Sequence, residues 1–169
     1  MEIERKWWID ARNLPRDLTA ADREIRILQS YIFYSPTVRV REINEGEKYI
    51  LTIKTRPSQS GLSREETETE ISKKEYENLM KKAEGRPIRK TRYVFLRKDG
   101  LKEEIDIFHG NLQGLAYLEI EFSSEEEATA FETPDWVLKE VTNLPDYKNA
   151  ALAREGMPKE VKAWLKSSR

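Results

Sequence analysis

Through segment after segment of this chain, charged residues recur two positions apart, with an apolar or β-branched residue between them. Glu2, Glu4 and Lys6 follow this spacing around Ile3. Arg39 and Arg41 lie between Val38 and Val40. Thr52 and Lys54 alternate with Leu51 and Ile53, and Glu68 pairs with Glu70, as Lys90 does with Arg92. Glu104 and Asp106 bracket Ile105, and Glu119 and Glu121 bracket Ile120. Side chains two apart share one face of a β-strand. Each segment therefore reads as a strand with one charged face and one apolar face.

For a single strand the simple reading is a solvated face laced with exposed ion pairs, each worth about 0–1 kcal/mol. Seven such strands together need a different arrangement. Their apolar faces must be covered, and helices packed on the outside can cover them. The charged faces then turn inward, into the lumen of a barrel. A lumen lined with both signs is costly unless something fills it. A polyanion with hard cations satisfies both sets, because Arg and Lys bind phosphate oxygens and carboxylates hold Mg²⁺ or Mn²⁺.

The alternation predicts strands over 2–9, 27–33, 38–42, 48–55, 65–71, 90–96, 102–108 and 115–122. Turn signals at Asn44-Glu45-Gly46-Glu47, Lys98-Asp99-Gly100 and Gly110-Asn111 separate several of them. This spacing suggests an antiparallel sheet closed into a barrel, an α+β fold. Ser72 and Glu75 form a capping box ahead of Tyr76, Leu79, Met80 and Ala83, with Gly85 expected to end that helix. Further helices are expected from a start at Ser123-Ser124-Glu125-Glu126-Glu127 to about Phe131, from roughly Asn149 to Glu155 and from near Pro158 onward. The stretch 56–63 reads as a loop between strands. No repeat or linker divides the chain, so one domain over 1–169 is expected.

Composition narrows the function. Thirty Lys and Arg nearly balance 31 Asp and Glu, for a net charge of −1, which disfavours nucleic acid as a partner. The 38% hydrophobic content excludes an acidic disordered chain. The apolar runs are too short to span a membrane, and no apolar signal segment follows Met1, so the cytoplasm is the expected compartment. With no cysteine and only His109 as histidine, thiolate chemistry and multi-His zinc sites are ruled out. His109 itself falls in a turn, where little depends on it.

Taken in order, these residues resemble a known family. Glu2-Ile3-Glu4-Arg5-Lys6 is similar to the N-terminal ExExK signature of the CYTH superfamily, the triphosphate tunnel metalloenzymes. The resemblance continues through Arg39-Val40-Arg41, Lys54, Glu68-Thr69-Glu70, Lys90-Thr91-Arg92, Glu104-Ile105-Asp106 and Glu119-Ile120-Glu121. It closes at Tyr147-Lys148-Asn149-Ala150-Ala151-Leu152-Ala153, similar to the family's Y-x-N-x-x-LA segment. It implies an eight-stranded antiparallel tunnel that binds a triphosphate with Mg²⁺ or Mn²⁺. Glu2, Glu4, Asp106, Glu119 and Glu121 would be the metal-facing acids, with Asp106 or Glu121 orienting the metal or its water. Lys6, Arg39, Arg41, Lys54, Lys90 and Arg92 would contact phosphate. Glu68 and Glu70 would balance the bases, hold product-side metal or serve structure alone.

Gln29 and Tyr31 resemble the Q-x-Y of a bacterial subgroup that favours inorganic tripolyphosphate. In that subgroup the Tyr pairs with the Lys matching Lys90, which would make Tyr31 and Lys90 catalytic; a packed strand aromatic is the other reading of Tyr31. Two features depart from the family pattern. Asn143-Leu144-Pro145-Asp146 replaces a shorter Gly-containing turn, and Lys148 stands where Ser is commoner and reads by itself as a surface lysine. The implied activity is metal-dependent hydrolysis of a triphosphate, tripolyphosphate first. A class IV-type adenylate cyclase, a thiamine triphosphatase and a non-catalytic polyphosphate-binding module stay open beside it. The implied assembly is a monomer or a homodimer.

Overall fold

The computed structural model describes residues 1–168. Its strands are β1 (Glu2–Trp8), β2 (Arg23–Tyr34), β3 (Thr37–Ile43), β4 (Lys48–Pro57), β5 (Ser63–Ile71), β6 (Glu84–Leu96), β7 (Lys102–Phe108), β8 (Ala116–Glu121) and β9 (Lys139–Glu140). The helices are α1 (Lys73–Met80), α2 (Glu125–Ala130), α3 (Asn149–Glu155) and α4 (Lys159–Ser167). The sheet runs β5-β4-β3-β2-β6-β7-β8-β1, and β5 returns to β1 to close an eight-stranded antiparallel barrel. The closing seam is short: Glu2 faces Arg64 and Ile3 faces Ser63. Beyond it β1 pairs instead with β9, at Trp7↔Glu140 and Trp8↔Lys139.

Cross-strand register puts the charged residues on one surface. Glu4 faces Glu121 and Lys6 faces Glu119 across β1 and β8. Glu104 faces Glu119 across β7 and β8, and Arg92 faces Asp106 across β6 and β7. Arg39 faces Thr52, which faces Glu68 in turn. This surface is the interior.

The opposite surface is apolar and covered. Ile3, Trp7, Ile105, Leu118 and Ile120 pack under α2 and the segment carrying Leu14 and Leu18. Val40, Leu51 and Ile71 pack under Tyr76, Leu79 and Met80 of α1. Burying one such large aliphatic side chain contributes about 1.5–3 kcal/mol, so the outer faces carry the stability that a charged interior cannot. One end of the barrel is filled by the inward side chains Trp8, Tyr31, Ile88, Phe108 and Tyr117, packed against Leu152 and Ala153 of α3 and Val161 of α4.

The expected strands and helices form, with three differences. First, β2 begins at Arg23 rather than Ile27, and β6 at Glu84 rather than Lys90. The two extensions are rich in charge, which hides their pairing from an alternation test. Second, β9 was not expected, because two polar residues carry no pattern. It is held from both sides by Leu138 donating to the Trp8 carbonyl and Val141 to that of Lys6. The Arg5 guanidinium also grips Glu140 through Nε and Nη2, at 2.9 and 2.6 Å.

The third difference is a correction. The capping box at Ser72 and Glu75 forms, but α1 ends at Met80 and Gly85 lies inside β6. Gly85 has φ +79°, and a Cβ there would stand 2.7 Å from the Ala153 carbonyl oxygen and 2.6 Å from the Tyr34 hydroxyl. The glycine is needed for the close approach of α3 to the barrel. Gly85→Ala meets both left-handed backbone strain and fixed backbone, and should cost about 2 kcal/mol or more. Urea unfolding of the variant checks this.

Candidate active site

A cavity of about 260 Å³ occupies the barrel interior. Its wall includes Glu2, Glu4 and Lys6 of β1, Arg39 and Arg41 of β3, and Lys54 of β4. Lys90 and Arg92 of β6, Glu104 of β7, and Glu119 and Glu121 of β8 complete the charged lining brought by strands. Tyr31 and Tyr34 of β2 join them, as do Arg64 of β5 and, from outside the barrel strands, Thr142, Lys148 and Asn149. Residues far apart in sequence converge because alternate positions of every strand must point inward once the barrel closes.

Most of the bases are neutralised by an acid on another strand, either the adjacent one or one further around the barrel. Lys54 donates to Glu2 at 2.9 Å, and Lys6 lies 3.5 Å from Glu119. Arg39 is 3.7 Å from Glu66, and Arg41 donates to Glu68 at 2.9 Å. Arg92 reaches Glu104 at 2.8 Å and Glu119 at 3.4 Å. Lys6 and Lys90 also rest over aromatic rings at the closed end, 5.1 Å from Tyr117 and 5.5 Å from Phe108. Such cation–π contacts favour a charged amine where water is scarce.

Glu4 is the exception among the acids. Among the described residues no ion pair or hydrogen bond reaches its carboxylate. Burial, then the nearby charges of Glu119 and Glu2, push it up to about 8. An acid that is this expensive to ionise, among other acids, fits a cation that is not part of the protein. Glu2 and Glu66 form a second strained pair. Burial lifts both carboxyls. Their mutual hydrogen bond adds to it for Glu66, which rises to about 7. For Glu2 that bond and the Lys54 charge outweigh burial and bring it to about 2.

Among the described residues no three acids stand close enough to chelate an ion as they are. The donor set nevertheless fits a hard divalent cation. Glu2, Glu4, Glu104, Glu119 and Glu121 supply oxygen ligands on adjacent strands, and Glu4 has no other partner. Phosphate oxygens taking over Lys6, Lys54 and Arg92 would release the acids these bases now occupy.

Three residues stand differently from what the sequence suggested. Asp106 is fully buried and outside the cavity wall. Lys90 donates to its Oδ2 at 2.8 Å, and Arg92 donates to Oδ1 at 2.7 Å and to Oδ2 at 2.9 Å. Burial opposes its ionisation, but Arg92 and Lys90 outweigh that and hold its carboxyl far below the usual range. With both oxygens engaged by Lys90 and Arg92, Asp106 positions two bases in this arrangement. Its place at the cavity wall is taken by Glu104, two residues earlier on the same face.

Second, no hydrogen bond joins Tyr31 to Lys90. The Lys90 amine goes to Asp106, and the Tyr31 hydroxyl accepts from the Gln29 amide at 3.1 Å. Tyr31 does line the cavity, and it stacks on Tyr34 with centroids 5.6 Å apart. Third, Lys148 is not a surface lysine: it is half-buried in the cavity wall.

The remaining assignments sort by position. Glu68 serves Arg41 from outside the wall, and Glu70 is exposed, paired with Lys48 at 3.8 Å. Glu66 and Arg64 were missed, although both share the parity of Glu68 on β5 and the signal was in the sequence. His109 sits outside the barrel, its Nε2 2.8 Å from the Thr91 hydroxyl. His109→Ala should leave kcat/KM within about twofold of the parent, since no charge or ligand is lost from the cavity. Steady-state phosphate release measures it.

Comparison with known proteins agrees with this geometry. The chain is 39% identical over 157 residues to the inorganic triphosphatase of Nitrosomonas europaea, covering 90% of this chain and 96% of that one. It is 38% identical over 129 residues to the inorganic triphosphatase of Acetivibrio thermocellus, covering 75% of this chain and 78% of that one. A crystal structure of the inorganic triphosphatase NE1496 superposes with a TM-score of 0.63 at 34% identity, covering 90% of this chain and 94% of that one. The CYTH domain model matches residues 1–148, from the paired acids of β1 to the lysine beside α3, and the chain belongs to the CYTH domain family.

Proposed function

We propose that this chain is an inorganic triphosphatase that hydrolyses tripolyphosphate with Mg²⁺ or Mn²⁺. The observation that carries the reading is the composition of one enclosed wall. Arginine and lysine side chains from several strands face a space in which Glu4 has no counter-charge of its own. A sensor for phosphate needs the bases, but has no use for an acid so costly to ionise. The relatives named as inorganic triphosphatases support the same reading.

In this reading Lys6, Arg39, Arg41, Lys54, Lys90 and Arg92 bind the phosphate oxygens. Arg92 and Lys90, held by Asp106, are pre-set to stabilise charge that grows on the leaving diphosphate. Glu4, Glu119, Glu2, Glu104 and Glu121 hold the metal. When bound, the metal supplies polarisation of the phosphates and a water of lowered pKa. The low-dielectric wall strengthens each of these contacts.

The test is phosphate release from metal-stripped protein given tripolyphosphate, ATP or thiamine triphosphate, with Mg²⁺, Mn²⁺ or EDTA, and cyclic AMP measured on the ATP samples. Metal-dependent release that is fastest from tripolyphosphate is the expected result. Cyclic AMP formation would replace the reading with a cyclase. Binding without turnover under every metal would replace it with a sensor.

A further inference from the structure

Two cations of the cavity wall stand apart from the ion-pair network. Among the described residues neither Arg64 nor Lys148 has a carboxylate within ion-pair distance. Arg64 spends its Nε on the Thr55 carbonyl, and the Lys148 amine makes no hydrogen bond. The two are neighbours in space. Burial first, then the charges of Arg64, Lys6 and Lys54, pull Lys148 below its ordinary value. They meet at the seam where β5 and β1 share only two residue pairs. Thr142, hydrogen-bonded to the Lys6 amide at 3.0 Å, flanks the same opening.

Glu4 is near enough to Lys148 to offset part of this crowding, but it lies beyond ion-pair distance of both cations, and positive side chains crowded into a partly buried site favour the arrival of an anion. The paired bases differ from these two in one respect. Each already has much of its charge offset by a carboxylate, and metal binding to that carboxylate frees the charge for a phosphate. Arg64 and Lys148 need no such release.

We propose that Arg64 and Lys148 form a phosphate subsite at the seam that anchors one end of a linear polyphosphate without requiring the divalent metal. This deepens the triphosphatase reading and rests on it for the identity of the substrate. A terminal phosphate with its double negative charge is the ligand chemistry that two adjacent cations suit. The other bases then engage as the metal takes the acids.

The experiment is calorimetric titration of metal-stripped protein in EDTA with tripolyphosphate and with diphosphate, for the parent, Lys148→Ala, Lys148→Arg and Arg64→Gln. Lys148→Ala and Arg64→Gln should each weaken metal-free binding roughly 10–100-fold, the scale of a lost hydrogen bond between charged groups. Lys148→Arg should restore most of it. In the metal-loaded enzyme the Lys148→Ala loss should fall more on KM than on kcat. Circular dichroism melting identifies any variant that fails to fold, and Lys148→Met, which keeps the stem packing, then replaces Lys148→Ala. Metal-free affinity unchanged in both charge-removing variants overturns the proposal. If the parent binds metal-free tripolyphosphate through Lys148 but never hydrolyses it, the subsite stands and the triphosphatase reading falls.

Discussion

Glu4→Gln removes metal-dependent turnover while the metal-free protein melts at or above the temperature of the parent. The two halves of this result have one cause. Glu4 lies inside the barrel beside Glu119 and Glu2 with no ion-pair partner of its own; desolvation and those charges lift its pKa to about 8. Ionising it therefore works against the fold, and a neutral isostere removes that cost. The same charge is what a divalent cation needs. Substitutions one shell away from a metal already cost about 10–100-fold, so loss of a ligand should cost at least about a hundredfold in kcat/KM. Phosphate release against metal concentration, with a thermal melt in EDTA, measures both. A variant with parental turnover would take Glu4 out of the metal site.

Asp106→Ala has the opposite signature, with stability and activity lost together. Lys90 is buried and Arg92 partly so, and both spend hydrogen bonds on Asp106. Without it two cations stay inside the barrel with less counter-charge, and breaking such a buried pair costs about 3–5 kcal/mol. Because the partners hold the Asp106 carboxyl far below its usual range, its contribution is fully present above the unfolded value of about 4. It is lost as pH falls toward the lower folded value, so the gap between parent and variant should close in acid. Urea unfolding at several pH values tests this. An equally stable variant that has lost only metal affinity would return Asp106 to the metal-binding acids.

These two residues show where sequence pattern stops being informative. Glu4 and Asp106 are both acids in an i, i+2 pair on an inward face, and alternation alone treats them alike. What separates them is which strand lies next door. β1 lies against β8, so Glu4 meets Glu121, whereas β7 lies against β6, so Asp106 meets Arg92. The first juxtaposition leaves a charge to be met by a cation from solution, and the second consumes it.

By itself the sequence determined that this chain builds a barrel with a charged lumen. A two-residue period of charge against apolar side chains across many strands sets which face each strand turns inward and so most of the inward bases, while the capping box at Ser72 is a separate local signal. Tertiary structure alone decided the pairing inside that lumen. It put Glu66 rather than Glu70 beside Lys54 and Arg39, gave the cavity Glu104 in place of Asp106, and turned Lys148 from a surface residue into part of the wall. Local pattern fixes which face a side chain takes, because that depends on the strand's own geometry. The partner it meets there depends on strand order, register and a seam only two residue pairs long, and those are settled when the barrel closes.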